Sequence, residues 1–262
     1  MFNCFLLGAE YVNTFDYRLY EWYNDTTRPS RIISPGLYKP FGMFVVSTGE
    51  IYVNYGDGRV DKWKFKVDTY EIVAQFCSTC WAIFISMNDM IYCSMGLSIV
   101  TKSLHSNSST QTVIAGTGVS GSEAHMLAMS RGIFVDINLD LYVADCWNHR
   151  VQLFHSGTIN GITLFTTSNT LKNFYPTDVV LDANQNIYIV DSGENRIFSG
   201  TSNNFKCIIG CREEGTSWTI TFPSMVFDSF GNIYYADHLN RRVRKFLLSK
   251  DKCGKFEIIQ LR

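Results

Sequence analysis

Residues 132–154 have the sequence GIFVDINLDLYVADCWNHRVQLF, and two later stretches repeat its pattern. Residues 178–200 are DVVLDANQNIYIVDSGENRIFSG, and residues 225–246 are MVFDSFGNIYYADHLNRRVRKF. Each stretch has a tyrosine with an aspartate six residues before it, an aspartate three residues after it and an arginine eight residues after it. The tyrosines are Tyr142, Tyr188 and Tyr234, the aspartates are Asp136, Asp182, Asp228, Asp145, Asp191 and Asp237, and the arginines are Arg150, Arg196 and Arg242. Agreement at fixed offsets indicates an internal repeat.

Weaker copies of the repeat come earlier and are anchored on Tyr11, Tyr52 and Tyr92. Successive anchors are 41, 40, 50, 46 and 46 residues apart, a spacing that suits one four-stranded unit per repeat. The sequence therefore predicts an all-β fold, a six-bladed β-propeller of four-stranded antiparallel blades in one domain, residues 1–262. The predicted blades are residues 1–39, 40–79, 80–128, 129–174, 175–221 and 222–262. Residues 255–260 are expected to pair with the N-terminal blade and close the ring, because an open ring would leave two strand edges exposed.

The recurring charged residues have positions typical of a structural framework. In the copy around Tyr142, residues 133–135 form an apolar run that predicts an inner strand buried on both faces. The aspartate after the tyrosine ends the second strand, where its carboxylate can accept backbone N–H groups. The arginine five residues later can pair with this carboxylate in two-pronged fashion. We therefore predict Asp–Arg bonding and assign the recurring aspartates and arginines to the scaffold.

The repeats resemble the NHL-repeat family, whose blades have a pattern close to P-x-G-I-x-V-D followed by G-x-I-Y-V-A-D-x-x-N-x-R-V. The resemblance covers nearly the whole chain, is close in the last three copies and weakens toward the N-terminus. Two residues of the close copies depart from the pattern: Ser130 stands near the usual proline, and Glu194 replaces the asparagine beside Arg196. The resemblance implies a rigid propeller built from divergent NHL repeats.

Composition narrows the classes of partner. The net charge is −1 and the pI is near 6.5, so no broad positive field attracts a polyanion, which argues against nucleic acid as a partner. No apolar run approaches the roughly 18 residues that a membrane-spanning helix needs, so no membrane insertion is expected. The apolar opening runs directly into the first repeat and lacks a basic leader, which predicts a strand rather than a signal peptide. We expect a monomeric domain or one part of a larger chain.

Cysteines and glycosylation acceptor sequences bear on the compartment. Cys77 and Cys80 form one close pair, and Cys207 and Cys211 form another. Two CxxC pairs would indicate zinc, but only Cys77 and Cys80 have that spacing, so local disulfides or buried free thiols remain. Acceptor sequences at residues 24–26 and 107–109 favour an extracellular location.

Metal-ligating residues are sparse in the predicted turns. His149 and His238 fall between second and third strands and supply at most two ligands, whereas zinc needs three or four. We therefore predict no cofactor. The resemblance to six-bladed lactonases, which bind calcium at an acidic channel mouth, leaves Ca²⁺ or Zn²⁺ at that mouth open, with Asp136, Asp182 and Asp228 as the aspartates that could approach it.

The function predicted from these observations is non-catalytic recognition of a protein or peptide partner through strand-connecting turns. Turns between second and third strands differ most among the close copies, and the candidate binding residues are Trp147, Asn148, His149, Glu194, Asn195, His238, Asn240 and Arg241. Trp147 beside Arg241 is either an exposed interface anchor or an indole packed between blades. One alternative is a lyase or hydrolase of the peptide-amidating-lyase or lactonase type, acting at the channel mouth. Another is the substrate-recognition part of a TRIM-NHL-like ubiquitin ligase, or an RNA-binding propeller.

Overall fold

The computed structural model describes residues 6–11, 17–22, 31–33, 40–46, 48–64, 69–105, 110–166, 173–201, 204–211, 224–228, 230–237, 242–248 and 256–260. In these residues the secondary structure consists of 23 β-strands and one short 3-10 helix, Cys146–Asn148. No helix within the described ranges is long and apolar enough to cross a membrane. The strands form six antiparallel sheets in which strands that follow one another in the chain lie side by side.

The first sheet is three-stranded and the other five are four-stranded. The N-terminal sheet consists of β1 (Leu6–Tyr11), β2 (Tyr17–Trp22) and β3 (Arg31–Ile33). Blade I consists of β4 (Pro40–Val45), β5 (Ile51–Tyr55), β6 (Arg59–Lys64) and β7 (Thr69–Gln75). Blade II consists of β8 (Ala82–Ile85), β9 (Met90–Ser94), β10 (Ser98–Ser103) and β11 (Thr112–Gly116).

The three close copies of the repeat form the remaining blades. Blade III consists of β12 (Ser130–Val135), β13 (Leu141–Asp145), β14 (Arg150–Phe154) and β15 (Ile162–Thr166). Blade IV consists of β16 (Pro176–Leu181), β17 (Ile187–Asp191), β18 (Arg196–Thr201) and β19 (Asn204–Ile209). Blade V consists of β20 (Met225–Phe227), β21 (Ile233–Asp237), β22 (Arg242–Leu248) and β23 (Phe256–Gln260).

The first strands of successive blades contact one another, β4 with β8, β8 with β12, β12 with β16 and β16 with β20. They are therefore the inner strands around a common axis, and the fold is an all-β propeller of four-stranded antiparallel blades. Second strands such as β5, β13 and β17 are buried at all five positions, because blades cover both of their faces. One apolar cluster, for example, joins Tyr92 and Ile99 of blade II to Ile133 and Val143 of blade III.

The prediction of six four-stranded blades is wrong, since the structure has five. Tyr11, the anchor of the first repeat, lies in β1, whereas the corresponding anchors of the other repeats lie in second strands. The N-terminal sheet therefore matches strands two to four of a blade.

Closure of the ring by residues 255–260 is also not what the structure shows. The C-terminal strand β23 pairs with β22, from Arg244 opposite Gln260 to Leu248 opposite Phe256. It is the outer strand of its own blade, where it satisfies the edge of β22 that would otherwise be unpaired.

The aspartate that precedes each tyrosine anchor shapes the turn between the first and second strands. In blade III, one carboxylate oxygen of Asp136 accepts the backbone N–H groups of Asn138 and Asp140, both at 2.9 Å. Asp182 and Asp228 accept the equivalent N–H groups in blades IV and V. These aspartates fold the turn by satisfying donors that no strand partner reaches.

The antiparallel order gives the propeller two different faces. Turns between first and second strands, and between third and fourth strands, lie at one end of every blade, and we call this end the hairpin face. Turns between second and third strands lie at the other end together with the links from one blade to the next, and we call this end the crossover face. The predicted binding turns are on the crossover face.

Candidate functional site

The aspartate and arginine that follow the tyrosine anchor bond to each other on the crossover face of blade III. The buried Asp145 carboxylate accepts hydrogen bonds at 2.8 Å from Arg150 Nε, Asn148 Nδ2 and the backbone N–H of Ala128. Arg150 also donates to the backbone carbonyls of the preceding link, those of residues 122, 123 and 126. The pair therefore fixes the turn and the link to each other.

Blade IV contains the same pair. The Asp191 carboxylate is fully buried and accepts hydrogen bonds from Arg196 Nε at 3.1 Å and Nη2 at 2.8 Å. Its other oxygen accepts the N–H groups of Tyr175 and Gly193. Burial raises the pKa of both Asp145 and Asp191, and the hydrogen bonds and neighbouring guanidinium act in the opposite direction. In blade V, Asp237 and Arg242 are paired through the backbone, and their side chains lie outside the described part of the chain.

His149 is held within the scaffold. It follows the 3-10 helix Cys146–Asn148 in the left-handed conformation, with φ 53°. Its Nδ1 lies 2.7 Å from the Phe174 carbonyl, and its ring packs edge-on against Tyr175 at 4.7 Å between centroids. These contacts tie the turn of blade III to the link that leads into blade IV.

Among the predicted site residues that the structure describes, Trp147 is the most exposed to solvent. Its backbone N–H donates to the Ala128 carbonyl at 3.0 Å, while the residue is 62% exposed. The indole is therefore presented on the surface and is not packed between blades. The corresponding position in blade IV is Gly193, where a Cβ would collide with the Asn173 carbonyl. The tryptophan is thus specific to one blade and is not part of the repeated framework.

The remaining predicted site residues divide into two groups. Glu194 accepts a 3.2 Å hydrogen bond from the Asn173 side chain, and Asn195 has a left-handed backbone with φ 51°. Both are only partly exposed. His238, Asn240 and Arg241 lie outside the described residues, so their proposed roles stay predictions.

Two charged residues at the inner strands were missed by the sequence reasoning. Asp178 stands on β16 where blades II and III have Ala82 and Gly132, and this change at a small-residue position was the available signal. One Asp178 oxygen accepts the N–H of Val179 at 3.0 Å, and the other accepts the N–H of Met225 in blade V at 2.9 Å. The side chain therefore bridges two inner strands, and burial raises the pKa of its carboxyl to about 7.

Arg131 is the second missed residue, at the start of the inner strand of blade III. Its guanidinium lies 3.9 Å from the ring centroid of Trp81 in blade II. Trp81 in turn meets Phe41 of blade I edge-on at 5.2 Å. These equivalent positions form a cation–π and aromatic chain around the crossover end of the channel.

Of the two close cysteine pairs, one forms a local disulfide and the other does not. Cys80 forms a disulfide with Cys93, which ties the link before blade II to its second strand, and Cys207 pairs with Cys211. A disulfide between Cys77 and Cys80, one of the two states left open above, is therefore wrong. Cys77 is an exposed free thiol. Among the described residues, no three His, Cys, Asp or Glu side chains lie close enough together to hold a metal ion.

Comparisons with known proteins show the fold and leave the activity open. No protein-family model and no curated protein matches the chain. A structure of a nidogen/laminin complex matches with a TM-score of 0.67 and 17% identity, over 92% of this chain and 88% of the other. A streptogramin B lyase structure matches at 0.59 and 11% identity, over 85% and 68%. A protein of unknown function from Bacteroides thetaiotaomicron matches at 0.67 and 15%, over 89% and 66%. At such identities the similarity establishes a β-propeller, and these neighbours include both a lyase and a protein in a complex.

Proposed function

We propose that this propeller is a non-catalytic recognition scaffold that binds a protein or peptide partner through the turns of its crossover face. The observation that carries the proposal is Trp147, a largely exposed indole on a turn whose other groups are fixed. Asn148 bonds Asp145 and the Gly121 carbonyl, and His149 bonds the Phe174 carbonyl. A tryptophan on such a rigid turn buries a large apolar area at a small entropic cost, which is the property of interface anchors.

The proposal extends to the repeat family and to the compartment. We infer that the blades are divergent NHL repeats, because the aspartate and arginine at the family's positions bond to each other in blades III and IV. We also infer an oxidising compartment such as the extracellular space. The disulfides Cys80–Cys93 and Cys207–Cys211 support this location, since such bonds persist mainly outside the cytosol.

Binding by Trp147 is testable with a phage-displayed library of fragments from secreted proteins, selected on the full chain. We expect Trp147→Ala to weaken the selected binders at least about tenfold, as loss of an interface anchor does. Trp147→Phe should retain part of the affinity. Ile159→Ala is the matched control, because Ile159 is 72% exposed on the hairpin face. If no selected binder loses affinity for the Trp147→Ala variant, the proposal is contradicted.

Catalysis at the channel mouth is the competing hypothesis, and it needs an asymmetric set of acid, base or metal-binding side chains. Metal analysis of the purified chain, joined to assays with peptide-amidating-lyase and lactone substrates, distinguishes the two. We expect no stoichiometric zinc and no turnover. A transition metal bound by His149 or His238, with activity lost in His149→Ala, would replace recognition with catalysis.

A further inference from the structure

The central channel has an apolar ring close to the hairpin face. Each inner strand carries a large apolar residue two positions before the first residue of its turn, and this residue is partly exposed in all five blades. The ring residues are Phe44, Phe84, Phe134, Val180 and Val226. In blade II the neighbours Ile83 and Ile85 are buried, whereas Phe84 between them is not. Because neighbouring blades lie on both sides of β8, β12 and β16, we infer that solvent reaches Phe84, Phe134 and Val180 from the channel.

The ring is continuous through three blades. The centroids of Phe44 and Phe84 lie 4.7 Å apart, and those of Phe84 and Phe134 lie 5.2 Å apart. Val226 of blade V is 51% exposed although it lies on an innermost strand. The wall of the channel at this level is therefore aromatic and aliphatic, with side chains that also pack against the cores between blades.

The turns that leave the ring extend the apolar surface onto the hairpin face. Met87 is 81% exposed, Ile137 is 71% exposed and Phe230 is 80% exposed. Each belongs to the turn that follows its blade's ring residue, three or four positions further along the chain. Exposed apolar side chains grouped around an apolar opening mark an interaction site, whereas single ones scattered over a surface do not.

The same turns are acidic. The turns at residues 46–50, 86–90, 136–140, 182–186 and 228–232 contain no lysine or arginine, and their acidic residues are Glu50, Asp89, Asp136, Asp140, Asp182 and Asp228. Glu50 is ion-paired with Lys62, and Asp89 and Asp140 contact His105 and His155. Asp136, Asp182 and Asp228 bond N–H groups of their own turns, and these bonds leave their negative charge in place. An acidic surround attracts cations and repels a second copy of the same face.

From the apolar ring and its acidic surround we propose that the hairpin mouth binds a segment of a partner protein in which one large apolar side chain is flanked by lysine or arginine. The apolar side chain enters the channel against Phe84 and Phe134, and the flanking cations lie over the acidic turns. This surface is separate from Trp147, which lies on the opposite face, so either proposal can fail without the other.

A phage-displayed library of random linear peptides, selected on the full chain, tests the hairpin mouth. We expect the enriched peptides to contain Phe, Trp, Leu or Met with Lys or Arg close by in sequence. Replacing that apolar residue with alanine in a synthetic peptide should weaken binding at least about tenfold, and replacing the cations with glutamate should do the same. Binding should also weaken as salt rises, because the attraction is screened.

Variants of the chain locate the binding. Ile137→Lys, a substitution of an exposed side chain, should weaken peptide binding at least about tenfold. Ile159→Lys, at the outer edge of the same face, should change the peptide affinity less than about threefold. Trp147→Ala should leave it unchanged. Three outcomes would overturn the proposal: enriched peptides without cations, peptides sensitive to Trp147→Ala but not to Ile137→Lys, or self-association of the chain that Ile137→Lys abolishes.

Discussion

Blades III and I each have an arginine at the start of the third strand, and the two arginines bind their carboxylates in different ways. In blade III, Arg150 bonds Asp145, the residue that ends the second strand. In blade I, Arg59 has the equivalent register, but the position of Asp145 is occupied by Tyr55. The Arg59 guanidinium lies 4.3 Å from the Tyr55 ring centroid, and its Nε lies 3.2 Å from the buried carboxylate of Asp61.

The carboxylate that pairs with the arginine therefore ends the second strand in blade III, whereas in blade I it lies in the third strand, two residues after the arginine. Asp61 pairs with Val53 in the sheet register, and the residue at that place in blade III is Gln152, opposite Val143. Blade II has neither acid nor arginine, with Met95 and Ser98 at these positions, and instead has the Cys80–Cys93 disulfide. A repeat can thus lose its sequence pattern and still anchor the turn of its second strand.

The largest expected effect is the loss of stability when one of three arginines, Arg150, Arg196 or Arg59, is replaced by alanine. Arg150→Ala should lower the free energy of unfolding by about 3 to 5 kcal/mol, because it leaves the buried Asp145 without its cation and frees three link carbonyls. Arg196→Ala should cost roughly 2 to 4 kcal/mol for the same reason in blade IV. Arg59→Ala should cost less, about 1 to 2 kcal/mol, since the Arg59 side chain is more exposed, at 24% against 11% for Arg150. Urea unfolding measures all three. An Arg59→Ala loss equal to that of Arg150→Ala would show that the two arrangements are equivalent.

Removing the disulfide of blade II should cause the next largest loss of stability. The double variant Cys80→Ala, Cys93→Ala opens a loop with a sequence separation of 13 and should lose about 3 kcal/mol. The matched variant Cys207→Ala, Cys211→Ala opens a separation of 4 and should lose about 1 kcal/mol less. Thermal and urea unfolding provide the comparison. No loss in the first variant would mean that blade II is anchored by packing alone.

A pH-dependent effect distinguishes the seam between blades IV and V, and it is the smallest of the three when it is measured over a single pH unit. The folded-state pKa of Asp178 is about 7, against an ordinary value of 3.8. Between these values the folded protein keeps a proton that the unfolded chain has released, so raising the pH favours unfolding. The free energy of unfolding should fall across this window by at most about 1.4 kcal/mol per pH unit, and it should level off above pH 7.

Asp178→Asn removes the titration and should reduce this slope. Unfolding free energies at several values from pH 4.5 to pH 8 measure it, with Asp89→Asn on the hairpin face as the control. An Asp178→Asn variant that keeps the full slope of the unchanged chain would assign the pH dependence to other groups.

The sequence predicted those features that depend on local pattern. The tyrosine spacing located the four-stranded blades III to V, and the fixed offsets of Asp145 and Arg150 predicted their bond. The number of four-stranded blades and the partner of the C-terminal strand were wrong, because both depend on which edges meet in space. Tyr55 with Asp61 was also missed, since a carboxylate shifted along the strand breaks the pattern while the interaction survives.

The candidate site was predictable only in part. Trp147 stood out because it interrupts a repeated turn, and the structure places it on the surface. The apolar ring could not be found in the same way. Phe44, Phe84 and Phe134 have the composition of ordinary core residues, and only the closing of blades around an axis separates a channel wall from a core.

The pairing of β23 with β22 has a consequence for how the chain folds. Every described strand pair joins segments that are neighbours in the sequence, so the backbone hydrogen bonds within each blade have low contact order. Each blade can form its meander as soon as its own strands are synthesised, without waiting for a distant partner. Side-chain packing between successive inner strands is then the later, cooperative step, as in repeat proteins whose units stack one after another.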